Sequence, residues 1–260
     1  MRRCEINPVY ASSKELIDGI PSRFVREGEV LYQWRNCIKK ISMGDGRVWN
    51  VKSFKVPHLL NRFIYRYFRK SKAERSYHNA LRLLQYGVDT PTPIAYMVEQ
   101  NVWGISHSYY ISEQLTYDCD MHSLLDKPPA DFEKLLRGYA QFVYSFHHKG
   151  IYFLDLSLGN TLIVRKSDGE ARYYLVDLNR TWFYDRPLTC REGVKGFCRL
   201  DTVWKNKDFI LHEYAKAGGY EYADVLRNYK KCERQDNLRR AFKDRGIIGF
   251  IKMFLFGDNS

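Results

Sequence analysis

The stretch from Gly150 to Arg180 limits the possible folds more than any other: two strand-like runs, Thr161 to Arg165 and Arg172 to Val176, flank the turn SDGE. Both runs are rich in β-branched and aromatic residues, and Asp168-Gly169 favours positive φ at both turn positions, so the pattern predicts an antiparallel hairpin. With Asp168 and Gly169 at its centre, Arg165 faces Arg172, Thr161 faces Val176 and Asn160 faces Asp177. Opposed Cα atoms in such a ladder lie roughly 4.5 to 5.5 Å apart. A carboxamide and a carboxylate are thereby expected at the open end, and Asp155 lies on the loop entering that end.

Three oxygen-bearing side chains so spaced resemble the catalytic apparatus of protein kinases. There an Asp orients the acceptor hydroxyl, an Asn five residues on binds magnesium, and an Asp after the next hairpin holds metal on the ATP phosphates. The spacing carries weight only in its context, because Asp and Asn pairs five apart arise by chance. The approach to the loop supplies more of that context. Phe132, Leu135, Leu136, Tyr139, Phe142, Val143 and Phe146 recur at helical spacing between Asp131 and His148, and Gly150 is a stop signal. His147 and His148 are then expected at a helix C-terminus, in favourable contact with its dipole.

Upstream, Phe24 to Phe54 reads as three strands, with REGE and SMGDGR as turns. Lys52, near the end of the third, stands where kinases keep the lysine that grips the α and β phosphates, with Lys55 as second candidate. A helix is expected from Lys72 to Tyr86, with Tyr77, Leu81 and Leu84 on one face and Gly87 as cap. In a kinase this helix offers a carboxylate to the strand lysine. Glu74 is its only acid, while His78 lies one turn later on the same face. TPTPIAYMVEQ and SHSYYISEQL read as two further strands leading to a hinge from Glu113 to Leu115, whose backbone would hold adenine.

The order VKSFK, RKSKAERSY, GVDTPTPIAY, ISEQL, GIYFLDLSLGNTLI and VDLNR resembles the bacterial lipopolysaccharide kinase family over about Gly28 to Arg180. The resemblance implies an α+β, protein-kinase-like fold of two lobes: a small antiparallel sheet plus helix in an N-lobe of about 20–115, and a mainly helical C-lobe of about 116–260, together one domain. It implies Asp155 as catalytic base, Asn160 and Asp177 as Mg2+ ligands, Lys52 as phosphate lysine, and Glu74, Glu113 and Leu115 as further ATP-binding residues. The acceptor implied is a Kdo or heptose hydroxyl of the lipid A-core glycolipid. Four departures stand out. Phe153 and Leu154 replace the His and Arg common before the catalytic Asp, which argues against control by activation-loop phosphorylation. Asn179 replaces a glycine, though Asn tolerates left-handed backbone. No GxGxxG loop is present, leaving Arg26 to Glu29 or Trp34 to Asn36 to cover the phosphates. No APE-like segment follows Arg180, so a protein substrate is disfavoured.

A chain of 260 residues can bury a sizeable core. No secretory apolar region follows MRRCEINPVY and no run reaches the ~20 apolar residues of a spanning helix, so the expected place is the cytoplasm, peripheral to the inner face of the membrane. Six cysteines without metal or disulfide spacing are expected as buried or inert thiols. A net charge of +12 favours an anionic partner such as a membrane surface. It is concentrated in Lys52 to Arg75 and Arg227 to Lys252, read either as anion-facing surfaces or as solvated helix faces. The apolar tail GIIGFIKMFLFG reads as an interfacial anchor or a packed last helix. Two other readings stand behind the first: a kinase of a small soluble acceptor, and a kinase-shaped module without turnover that binds anionic lipid or nucleic acid. The leading reading expects neither nucleic acid nor an obligate protein partner.

Overall fold

The computed structural model describes residues 1–55, 70–101, 104–198 and 206–256, with side chains as far as residue 239. The chain forms two compact units, Met1–Cys119 with Leu162–Thr181, and Asp120–Thr161 with Trp182–Ser260. The expected hairpin thus belongs mainly to the first unit rather than to the second.

The first unit is built on six antiparallel strands: β1 (Arg2–Ile6), β2 (Glu29–Gln33), β3 (Asn36–Ser42), β4 (Val48–Phe54), β5 (Pro93–Asn101) and β6 (Gly104–Glu113), in the order β1-β5-β6-β4-β3-β2. Strand alternation divides its side chains between two cores. Trp49, Val51, Met97 and Ile111 pack on one face with Ile17 and Ile20 from the helices Lys14–Asp18 and Ile20–Arg26. Phe54, Tyr96 and Val98 pack on the other with Ala73 and Tyr77 of the helix Lys72–Gln85. The three strands expected between Phe24 and Phe54 are β2, β3 and β4, but Phe24 lies inside the helix Ile20–Arg26 instead of opening a strand, because Pro21 suits the first turn of a helix.

The helix Lys72–Gln85 is capped by the Ser71 hydroxyl, which accepts from the Glu74 N–H at 3.0 Å. Of the face expected, Tyr77 is buried and Leu81 packs against the same core but Leu84 is exposed, and Ala73, Ser76, Ala80 and Leu83 turn inward as well. Small residues here let the helix lie close on the sheet, and a count of large apolar residues alone overlooks them.

The hairpin consists of the strands Thr161–Arg165 and Ala171–Leu175. Its register is one residue from that expected. The Lys166 N–H donates to the Glu170 carbonyl at 2.8 Å and the Gly169 N–H to the Lys166 carbonyl at 3.1 Å, with Gly169 at φ 79°. This is a three-residue turn with a glycine bulge, so Arg165 faces Ala171 and Ile163 faces Tyr173. Burial agrees, since Ile163 and Tyr173 are both inside. Asn160 is therefore not the partner of Asp177 in the ladder.

In the second unit the helix Phe132–His148 turns Leu135, Leu136, Tyr139, Val143 and Phe146 inward, on the expected face. His147 departs from expectation. It is buried, its Nδ1 lies 3.0 Å from the Tyr214 hydroxyl of the helix Lys207–Gly218, and a Cβ on Gly193 would collide with both. Burial pushes its pKa from 6.5 down to about 3, so the ring is neutral and makes no cationic contact with the helix dipole. Unfolding lets this ring take up a proton below 6.5, so its contribution to stability is intact above that pH and is lost as pH falls toward 3, at up to about 1.4 kcal/mol per pH unit. The melting temperature is expected to drop between pH 7 and pH 5, and His147→Phe to flatten that slope. An unchanged slope in the variant would place the acid sensitivity elsewhere.

All six cysteines are free thiols, but only Cys198 is buried and Cys4 is exposed. Nor are they uniformly inert: a hydrogen bond from Cys198 draws the Cys232 thiol below its usual range. Among the described residues no helix is long and apolar enough to cross a membrane. The last helix runs Tyr222–Phe256, and the side chains of the apolar tail lie outside the described residues, as does most of the basic stretch after Lys55.

Candidate active site

In the first unit Lys52 is fixed by the sheet. It faces Ile38 of β3 on one side and Tyr110 of β6 on the other, and Ile38 in turn faces Tyr32 of β2. Opposed residues share a face, so Lys52 projects beside Phe54, toward the helix Lys72–Gln85. Its Nζ lies 2.6 Å from Asp177 Oδ1, and the lysine is 8 % exposed.

Asp177 is held in place by its neighbours. The Leu175 N–H donates to Asp89 O at 3.0 Å and Thr90 Oγ1 donates to Leu175 O at 2.8 Å. The Leu178 carbonyl accepts from Asn79 Nδ2 at 2.7 Å and from Thr181 Oγ1 at 3.0 Å. Between these clamps Asp177 has φ 60°, the one positive φ of a non-glycine residue among those described. Such a conformation is unfavourable for Asp unless its surroundings impose it. Burial raises the pKa of its carboxyl, but the charge and hydrogen bond of Lys52, with Asn179 Nδ2 at 2.8 Å and the charge of Lys72, more than offset this and hold it below the usual range.

Both of these hydrogen bonds fall on Oδ1, so Oδ2 remains available to a cation. In the second unit Asn160 Nδ2 donates to the Asp155 carbonyl at 2.8 Å, which ties down the nitrogen and leaves the carboxamide oxygen as the open end. The same loop is closed by Ser157 N–H to Asp155 O at 2.6 Å and Asn160 N–H to Ser157 O at 3.0 Å. Buried Leu156 roots it in that unit's core. Carboxylate and carboxamide oxygens are the hard donors that Mg2+ takes, so the residues suit that ion, although no group of three or more His, Cys, Asp or Glu is gathered at one point among the described residues.

Glu74 is not the partner of Lys52 in this structure. Its Oε1 lies 3.9 Å from Lys70, and its buried Oε2 has no hydrogen-bond partner. His78 instead lies 3.4 Å from Glu5. At the hinge the Glu113 N–H donates to Thr92 O and the Gln114 N–H to Val48 O, at 2.9 and 3.0 Å. Gln114 Nε2 donates to the Leu115 carbonyl at 2.9 Å, and Tyr10 donates to Glu113 Oε1 at 2.6 Å. Of the two candidate phosphate covers, Trp34 to Asn36 is the tip of the β2–β3 hairpin, where the Arg35 guanidinium lies 4.4 Å over the Trp34 ring.

The charge of Lys72 also acts on Asp177. Burial and the charges of Arg75, Lys52 and Arg180 lower the Lys72 pKa against the pull of Asp177, which places this lysine in the electrostatic surroundings of that carboxylate. Sequence showed only one lysine within a basic run.

A sheet-borne buried lysine paired with a strained aspartate, and a largely helical unit carrying the Asp155 loop, define a protein-kinase-like protein of the α+β class. The profile of the "Lipopolysaccharide kinase (Kdo/WaaP) family" matches residues 20–215, and the chain belongs to that family. Among solved structures it is similar to WaaP in complex with acyl carrier protein, with TM-score 0.60 and 19% identity over 90% of this chain and 97% of that one. It is more distantly similar to the Rio2 kinase of Chaetomium thermophilum as its ADP/Mg2+-phosphoaspartate complex, with TM-score 0.45 and 13% identity over 88% of this chain and 77% of that one. No curated protein matches the sequence. The fold class and the family are those expected from the sequence, and kinase membership makes the chain a phosphotransferase.

Proposed function

We propose that this protein transfers the γ-phosphoryl group of ATP, with Mg2+, to a sugar hydroxyl, on Kdo or heptose, of the lipopolysaccharide inner core. The observation that carries the reading is the Lys52–Asp177 pair at 2.6 Å, with Asp177 held in left-handed backbone. A strained, partly buried acid beside a buried lysine suits phosphate and metal chemistry. In the proposed roles Lys52 binds phosphate oxygens, Asp177 and Asn160 hold Mg2+, and Glu113 and Leu115 offer backbone groups to adenine. Asp155 orients the acceptor hydroxyl and accepts its proton as the phosphoryl group departs. Bound Mg2+ would offset charge on the phosphates.

The net charge of +12 favours an anionic glycolipid over the cationic acceptors of aminoglycoside-type kinases, and it draws the protein to the anionic inner face of the cytoplasmic membrane. The reading is tested by incubating the protein with Mg2+-ATP and lipid A carrying Kdo alone or Kdo and heptose, then fragmenting the product. A mass gain of one phosphate on a core sugar is expected. Nucleotide bound but no phosphate on either acceptor, with and without the acyl carrier protein found with WaaP, overturns it.

A further inference from the structure

The proposed roles leave unused an aromatic pair of the second unit, the exposed Trp182 and the partly exposed Tyr152. The ribbon of the strands Ile151–Phe153 and Thr181–Phe183 leads directly into the loop of Asp155. Its register follows from the Tyr184 N–H donating to the Gly150 carbonyl at 2.8 Å, which sets Tyr152 opposite Trp182. Ile151, Phe153 and Thr181 turn inward, so Tyr152 and Trp182 share the outer face, with ring centroids 6.0 Å apart and planes 37° from parallel. Tyr184 follows on the same face. Trp182 and Tyr184 are 42% and 41% exposed. The ribbon can come this close at Gly150 because a Cβ there would strike the carbonyls of Tyr184 and Arg186.

Trp182 stands exposed against the partly buried Tyr152, while the Tyr184 ring beyond is covered by the Arg186 guanidinium at 5.6 Å, and an exposed indole stacked in this way offers an apolar face to a ligand. We infer that Tyr152 and Trp182 form a stacking platform for a pyranose ring of the acceptor, adjacent to the sugar that receives the phosphate; this rests on the function proposed above. The C–H face of a pyranose is an apolar plate that lies flat on an aromatic ring, while its rim of hydroxyls stays in water or meets polar groups such as a tyrosine hydroxyl. Reach agrees with this placement. Asp155 is the third residue after Tyr152, so their Cα atoms are at most about 11 Å apart, about the length of a disaccharide. In the proposed arrangement an acceptor engaged at Asp155 extends its neighbouring sugar over this face, and the platform selects an oligosaccharide over a single sugar.

The test uses the inner-core oligosaccharide freed from its lipid, so that membrane contact plays no part. Its binding is measured by calorimetry, and its KM in the transfer assay, for the wild type, Tyr152→Ala, Trp182→Ala and Trp182→Phe. Both alanine variants are expected to weaken binding and raise KM by about tenfold, with the phenylalanine variant between them and the wild type, and KM for ATP unchanged. A wild type that binds no oligosaccharide overturns the inference. So does an effect that appears only with the intact glycolipid, which would mark the strip as a lipid contact, and so does an equal rise in KM for ATP, which would mark a structural defect. If transfer proceeds unaffected by Trp182, the platform is refuted and the kinase reading stands. If oligosaccharide binding depends on Trp182 but no phosphate is transferred, the reverse holds.

Discussion

Asp155→Ala is expected to lower phosphoryl transfer by about a thousandfold or more while Mg2+-ATP binds as before. The estimate combines a general base, worth roughly 10²–10⁴, with the loss of the group that aims the hydroxyl, since misplacement alone costs about a hundredfold. Retained binding is the informative half. Asp155 lies in a loop braced by hydrogen bonds to its own backbone carbonyl from Asn160 Nδ2 and the Ser157 N–H, and alanine keeps that carbonyl. Single-turnover transfer and nucleotide titration on the same preparation check this. Turnover near the wild-type value refutes the role given to Asp155.

The second large effect belongs to the lysine–aspartate pair. Asp177→Ala is expected to weaken Mg2+-ATP binding itself, by about a hundredfold or more, because it removes a metal ligand rather than a group used only in the transition state. It also strands a lysine that is 8 % exposed. Breaking a fully buried pair costs about 3–5 kcal/mol, and with the Asp177 side chain 32% exposed, solvent screening reduces this to about 2 kcal/mol. The pKa of Asp177 is depressed in the fold, so the stability it supplies is present above the ordinary carboxylate range and is lost as pH falls through its lowered value. Asp177→Ala is therefore expected to melt earlier than the wild type at pH 7, with the difference closing in strong acid. Nucleotide affinity unchanged in Asp177→Ala removes it from the metal site.

Where sequence and structure agree, the signal was local. The helix Phe132–His148 announces its inner face through seven large apolar residues at regular spacing, and β5 and β6 through proline and dense aromatic and β-branched residues. Where they differ, the deciding contact was remote or depended on one bond. Ser-Asp-Gly suits a two-residue turn and a three-residue turn with a bulge equally well, and only the Lys166-to-Glu170 hydrogen bond chooses between them. His147 looked like a surface residue at a helix end, and Tyr214, 67 positions away, makes it a core residue. Residues 1–19 carried no readable signal, yet β1 completes the sheet against β5 and Tyr10 grips Glu113. Of the site, the identities of Lys52, Asp155, Asn160 and Asp177 were legible as candidates. The placement of Lys72 near Asp177, and the pairing of Lys52 with an aspartate rather than with Glu74, depended on tertiary packing.

The two members of that ion pair are mounted differently. Lys52 grows from a strand bonded along both edges, and moving its base would tear two ladders at once. Asp177 sits on a short turn pinned at either side by two hydrogen bonds rather than by a ladder. Any rearrangement that admits a cation between aspartate and phosphate must then be a swing of the acid about a stationary ammonium, and substitutions that loosen the turn at Asn79 or Thr90 will alter metal affinity without touching either charge.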